Sequence, residues 1–300
     1  MYTLFERVER TEQCPYGSKQ VKGNPFLEGP CFLCVTPMYY KPIAKYSYGA
    51  SKMAMQLARL RVKGKHNAGY DVKGFPVKFL SILAEERKGK KDTSQERMDM
   101  FLEDYFFPLI SDNGQKIDID IAKKRMRNVN MATYCNGTLF FTEVEIKLME
   151  KMLELGYTRA EADEIIKQLC IITFSTNCLT KQEKATCISF TDINDDIVND
   201  NVTDEEKRIV HQEGEKLVVH SDNEIEYMYN GYGNHEFKKY GEDSLTAACV
   251  TSVIYRALQN SIENARSDSF TPISARNVNI KYSRNIKSSK KNRKRRRYNG

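Results

Sequence analysis

The chain has 300 residues, of which 40% are hydrophobic, 29% charged and 10% aromatic, enough apolar material for a full core in one large domain or two ordinary ones. No apolar run nears the roughly 18 residues of a membrane helix, and eight irregularly spaced Cys make no disulfide framework, so membrane-spanning, collagenous, mucin-like and disulfide-knot classes are excluded. The net charge of +7 is local: Lys281–Gly300 holds ten Lys/Arg and no acid, which leaves 37 bases against 40 acids and a mildly acidic body.

Taken along the chain, Met1–Arg10 has no apolar stretch and is expected not to be a secretory signal. Residues 1–29 are interrupted by Gly and Pro and form an N-terminal segment without assigned elements. Pro30 precedes Cys31-Phe32-Leu33-Cys34-Val35, an apolar run closed by Thr36-Pro37 that reads as a buried strand. Ser47–Val62 has helical apolar spacing, and Pro76–Leu83 reads as a second strand. Helices are predicted over Ser94–Phe107 and Asp118–Asn128. Asn128–Tyr134 is a third strand, and Thr138–Leu155 a long helix stopped by Gly156. Thr158-Arg159-Ala160-Glu161 is a capping box that opens another helix. Leu169–Phe174 and Ala185–Phe190 are short apolar strands, and Thr203–Glu215 is helical. Leu217–His220 and Ile225–Tyr229 are short strands, and Ser244–Asn264 is a long amphipathic helix. From Arg266 the chain is a polar linker that ends in the basic tail.

Strands alternate with helices over residues 30–265, and most strands are continuous apolar runs. Such strands are buried on both faces, which implies an α/β domain with a mostly parallel sheet in a three-layer arrangement. Ligands of such sheets bind at the carboxyl ends of the strands. The strand Asn128–Tyr134 ends at Cys135-Asn136-Gly137, and a helix follows at once. Thr133-Tyr134-Cys135-Asn136-Gly137 resembles the nucleophile elbow, G-x-S-x-G, of the α/β-hydrolase superfamily, with Cys in the nucleophile position and Thr133 in place of a small residue.

That resemblance implies an acid and then a base further along the chain. Asp195-Asp196-Ile197-Val198 is similar to the superfamily's Asp-x-Ile-Val phrase after the penultimate strand, which points to Asp195, with Asp192 and Asp196 as rivals. His235, in the Gly-rich loop Gly231-Tyr232-Gly233-Asn234-His235 before the last helix, looks like the base. The spacing leaves room for little or no cap domain. Cys nucleophiles occur in dienelactone hydrolases and polyhydroxyalkanoate synthases, and the Tyr-Cys-x-Gly phrase looks somewhat more like the synthases. The resemblance implies a hydrolase or acyltransferase for an ester, thioester or acyl substrate. His235 would take the thiol proton and Asp195 would hold the imidazole. The oxyanion would lie on the backbone N–H of Asn136 and on the loop after Cys31–Val35, near Thr36 and Met38. No cofactor and no metal is expected.

Other signals carry less. Cys31-x-x-Cys34 lies within one strand, where residues three apart face opposite sides, so it is not read as a metal or redox pair. GxxxxGK[ST] and GxGxxG patterns are absent. Reduced thiols and the absence of a membrane segment give a cytoplasmic protein as the expectation. The tail Lys281–Gly300 suits contact with a polyanion or an anionic membrane surface. A second reading is therefore a non-catalytic α/β-hydrolase-like scaffold whose tail binds nucleic acid or such a surface. The oligomeric state is open.

Overall fold

A computed structural model describes residues 2–7, 12–13, 18–35, 78–84, 93–176, 184–198, 202–220, 224–231, 233 and 235. The first strands are β1 (Tyr2–Arg7), β2 (Ser18–Gln20) and the two apolar runs β3 (Cys31–Val35) and β4 (Lys78–Ala84). Two short strands follow, β5 (Ser111–Asp112) and β6 (Gln115–Lys116), and then β7 (Val129–Tyr134), β8 (Cys170–Phe174) and β9 (Thr186–Asp192). The last are β10 (Glu215–Val219) and β11 (Glu224–Tyr229). Nine of them make one sheet in the order β10-β11-β9-β8-β7-β3-β4-β1-β2. The pairs from β4 through β3, β7, β8 and β9 to β11 are all parallel. β1, β2 and β10 are antiparallel additions at the two sides. The chain is thus of the α/β class with a large, mostly parallel sheet.

The central strands are buried on both faces. β3, β7 and β8 have no exposed residue, which is why they read as unbroken apolar runs. Leu33, Val35, Met131 and Ile171 share the main core with the described helices α1 (Pro25–Glu28), α2 (Ser94–Phe101), α3 (Phe107–Ile110), α4 (Ile119–Met126), α5 (Gly137–Glu154) and α6 (Arg159–Ile166). A further helix, α7 (Asp204–Glu213), packs beside β10 and sets its Val210 in a second cluster with Ile193, Val218 and Met228.

Two differences from the sequence reading have plain causes. The sheet reaches back to Tyr2: β1 pairs with β4 and buries Tyr2 and Leu4 in the main core, so residues 1–29 are not separate from the sheet. The helix expected over Ser94–Phe107 passes through a π turn at Leu102–Phe106 and resumes as α3. Pro108 has no N–H to give the Asp104 carbonyl, so the α pattern fails there. Asn24, just before α1, turns its Nδ2 to the freed carbonyls of Asp104 and Tyr105, at 3.3 and 2.8 Å. The expected helices at Ser47–Val62 and Ser244–Asn264, the linker and the tail lie outside the described residues. No described helix is long and apolar enough to cross a membrane.

Candidate active site

Parallel strands place their carboxyl ends along one edge of a sheet. Here β7, β8, β9 and β11 lie side by side, and each brings a polar or thiol side chain to this edge, at its last residue or shortly beyond. β7 leads to Cys135, β8 to Ser175, β9 to Asp192 and Asp195, and β11 to Gly231, Gly233 and His235. The chain direction reverses across β3: β4 lies on one side of it and β7, the next strand of this sheet, on the other. Cys135 therefore stands at the switch point where α/β sheets open a crevice.

Cys135 occupies the turn between β7 and α5 with φ of 52°, in the left-handed region that a Cβ disfavours. Two bonds hold the turn: its own N–H donates to the Phe174 carbonyl at 3.0 Å, and its carbonyl accepts from the Thr138 N–H at 3.3 Å. Beneath it the Thr133 and Thr138 hydroxyls pair at 3.0 Å, fully within the protein. The N-terminus of the eighteen-residue helix α5 points at this turn and favours negative charge there. Asn136 occupies its N-cap position.

His235 meets Asp195. Its Nδ1 lies 2.9 and 3.1 Å from the two carboxylate oxygens. Because a carboxylate accepts, Nδ1 carries the proton and Nε2 is left to the other side. Nε2 is buried and, among the described residues, makes no aligned hydrogen bond. The neighbour that acts on the ring besides Asp195 is the Cys135 sulfur. Asp195 first, and then Cys135, hold the imidazolium and push the His235 pKa up to about 9, against the opposing effect of burial. The Tyr134 ring lies against the imidazole, centroids 5.1 Å apart.

Asp195 has no exposed surface. Burial works against its charge, but His235, the Ile197 N–H at 3.0 Å and the Ser175 hydroxyl outweigh it and hold the carboxyl below the ordinary carboxylate range. The two rivals do other things. Asp192 is buried and takes three backbone N–H groups, from Asn194 and Gly231 at 3.0 Å each and from Gly233 at 3.2 Å. Asp196 is exposed. Thus the structure brings Cys135, His235 and Asp195 together and separates Asp192 and Asp196 from the imidazole. Thr36 and Met38 lie outside the described residues, but Val35, which precedes them, pairs beside Thr133.

The sequence reading does not include Ser175, and it places Tyr134 in the motif without a role of its own. Both were accessible to the rule that led to Cys135, since both sit at carboxyl ends of apolar strands. Ser175 shares the left-handed backbone of Cys135, with φ of 46°. Cys31 and Cys34 are free thiols within β3, and only Cys31 joins the main core, as opposite orientation requires. No group of three His, Cys, Asp or Glu side chains among the described residues is arranged to hold a metal. No protein-family model and no curated protein sequence matches the chain.

Proposed function

We propose that the chain is an α/β-hydrolase-like enzyme in which Cys135, His235 and Asp195 cleave or transfer an acyl group from an ester or thioester. The observation that carries this is the meeting of the three at one sheet edge. A strained Cys sits on a strand-to-helix turn beside an imidazole whose far nitrogen is bonded to a buried carboxylate. They follow β7, β9 and β11 in the order nucleophile, acid, base. Two further features support the hydrolase-like fold: the order β4-β3-β7-β8-β9-β11, and the short connection 175–185 between β8 and β9, which has no room for a cap domain.

In this reading the proton that Cys135 gives up is held on His235 Nε2, as an imidazolium that Asp195 favours, and the sulfur attacks the acyl carbon. The carbonyl electron pair moves onto oxygen, which the Asn136 N–H and a second donor near Thr36 to Met38 would stabilise. The intermediate collapses as the leaving alcohol or thiol takes the proton back from His235. Water then gives a proton to His235 and attacks the thioester. The sulfur leaves, takes up that proton and frees the carboxylic acid. An alcohol or thiol in place of that water would make the same cycle an acyl transfer. Asp195 stays ionised throughout and holds the tautomer.

The test is turnover of p-nitrophenyl acetate by wild type, Cys135→Ala, His235→Ala and the double variant. Each single change should lower kcat/KM roughly a thousandfold, and the double no further, since the pair acts as a unit. Equal turnover by wild type and Cys135→Ala would refute the reading.

A further inference from the structure

Asp195 and His235 lie forty residues apart on two different loops, and something must fix one loop against the other. The Asp192 carboxylate does so by position. It ends β9, is 4% exposed, and spends its acceptor capacity on backbone alone. Oδ1 takes the Asn194 N–H of the acid loop and the Gly231 N–H of the base loop, and Oδ2 takes the Gly233 N–H. Asn194 ties the same two loops from the other side. Its Nδ2 donates to Asn230 Oδ1 at 2.7 Å and to the Gly231 carbonyl at 2.9 Å.

The glycines of the base loop are part of this arrangement. A Cβ on Gly231 would stand 2.1 Å from Asp192 Oδ2. Gly233 has φ of 79°, and a Cβ there would meet the Asn194 carbonyl at 2.7 Å. So the bare backbone of Gly231-x-Gly233 is what lets the loop close onto Asp192 and Asn194. His235 follows two residues later, with its ring in reach of Asp195.

We infer that Asp192 is a positioning residue: it pins the loop of His235 to the loop of Asp195, and so sets the geometry of the imidazole without touching it. This rests on the proposed role of His235, but its test does not need catalysis. Among the described residues, the groups that face His235 are Asp195, Cys135 and Tyr134. Asp192 bonds backbone only, and Gly231→Ala, which leaves its carboxylate in place, separates an effect of loop geometry from the loss of a charge.

The experiment is imidazole titration by NMR in the full chain, for wild type, Asp192→Asn and Gly231→Ala. Asparagine keeps one acceptor oxygen and replaces the other by a donor, so at least one loop bond is lost. The His235 midpoint should fall by about one unit or more in Asp192→Asn, as the contact with Asp195 loosens. Gly231→Ala, which displaces the carboxylate from the opposite side, should reproduce the fall. The resonances of His211 and His220 should stay in place and certify the fold. If p-nitrophenyl acetate is a substrate, kcat should drop about a hundredfold with KM within about twofold. An unmoved His235 midpoint in a folded Asp192→Asn protein would overturn the inference. So would global unfolding of both variants, which would make Asp192 a residue of the fold at large. A shifted midpoint with no turnover in wild type would uphold the pin and reject the enzyme.

Discussion

An anion beside an imidazole stabilises its charged form and raises its pKa. Two neighbours push the His235 pKa up to about 9, the Asp195 carboxylate first and then the Cys135 sulfur. Cys135→Ala removes one of them. The His235 midpoint should then fall below about 9 yet stay above the ordinary 6.5, because Asp195 remains. NMR of the ring protons reads this directly, and an unchanged midpoint would place the sulfur too far away to act. The same shift ties stability to pH. A His whose folded pKa is raised stabilises the fold fully below 6.5 and loses that contribution as pH rises through about 9. Between those values wild type should lose more thermal stability than His235→Gln. Parallel Tm curves for the two would contradict it.

Three of the four other described thiols contrast with Cys135. Burial pushes Cys31 and Cys170 up to about 12, and Cys34 in the same direction. Cys31 and Cys34 have no exposed surface and Cys170 has 1%, whereas Cys135 has 8% and a base beside it. Iodoacetamide at neutral pH should therefore modify Cys135 well before those three, as read by peptide mass spectrometry.

Whole elements follow from short-range chemistry where the chemistry is local. Thr158-x-x-Glu161 opens α6 by exchanging side-chain and backbone bonds in both directions, at 2.7 and 3.2 Å. Thr93 with Glu96 and Thr203 with Glu206 repeat the device at α2 and α7. Thr158→Ala should cost about 1 kcal/mol, seen as a lower urea midpoint with an unchanged slope. Asn113-Gly114, with φ of 51° and 73°, makes the tight turn of the β5–β6 hairpin, a signal equally present in the sequence. The turn at Cys135 was legible for the same reason, since an apolar strand, C-x-G and an amphipathic helix stand next to one another. The π turn was not, because Asn24, which satisfies its freed carbonyls, lies eighty residues away. The Asp192 clamp was hidden likewise. Three nearby carboxylates in sequence differ only in which loop each one faces, and pairing of β9 with β11 decides that.

At the scale of the molecule, the sheet order was not readable from periodicity, which reports what is buried but not beside what. β1 illustrates this: six residues with no breaker-bounded apolar run become an inner strand through pairing with β4. Removing Met1–Arg7 should strip Tyr2 and Leu4 from the core and unfold the protein, as judged by far-UV circular dichroism and solubility. Removing Lys281–Gly300 should leave the melting curve unchanged. It should abolish salt-sensitive binding to heparin or nucleic acid, since the remaining body is mildly acidic.

The central claim is that an acyl group passes through the Cys135 sulfur under the control of His235 and Asp195. The most direct measurement is mass spectrometry of protein quenched in acid during reaction with p-nitrophenyl acetate. The account predicts an acetyl group on the peptide containing Cys135 in wild type. That adduct should be absent in Cys135→Ala and should form far more slowly in His235→Ala and Asp195→Asn. Acetylation of Cys135 at the wild-type rate in those two variants, or spread evenly over several cysteines, would contradict it.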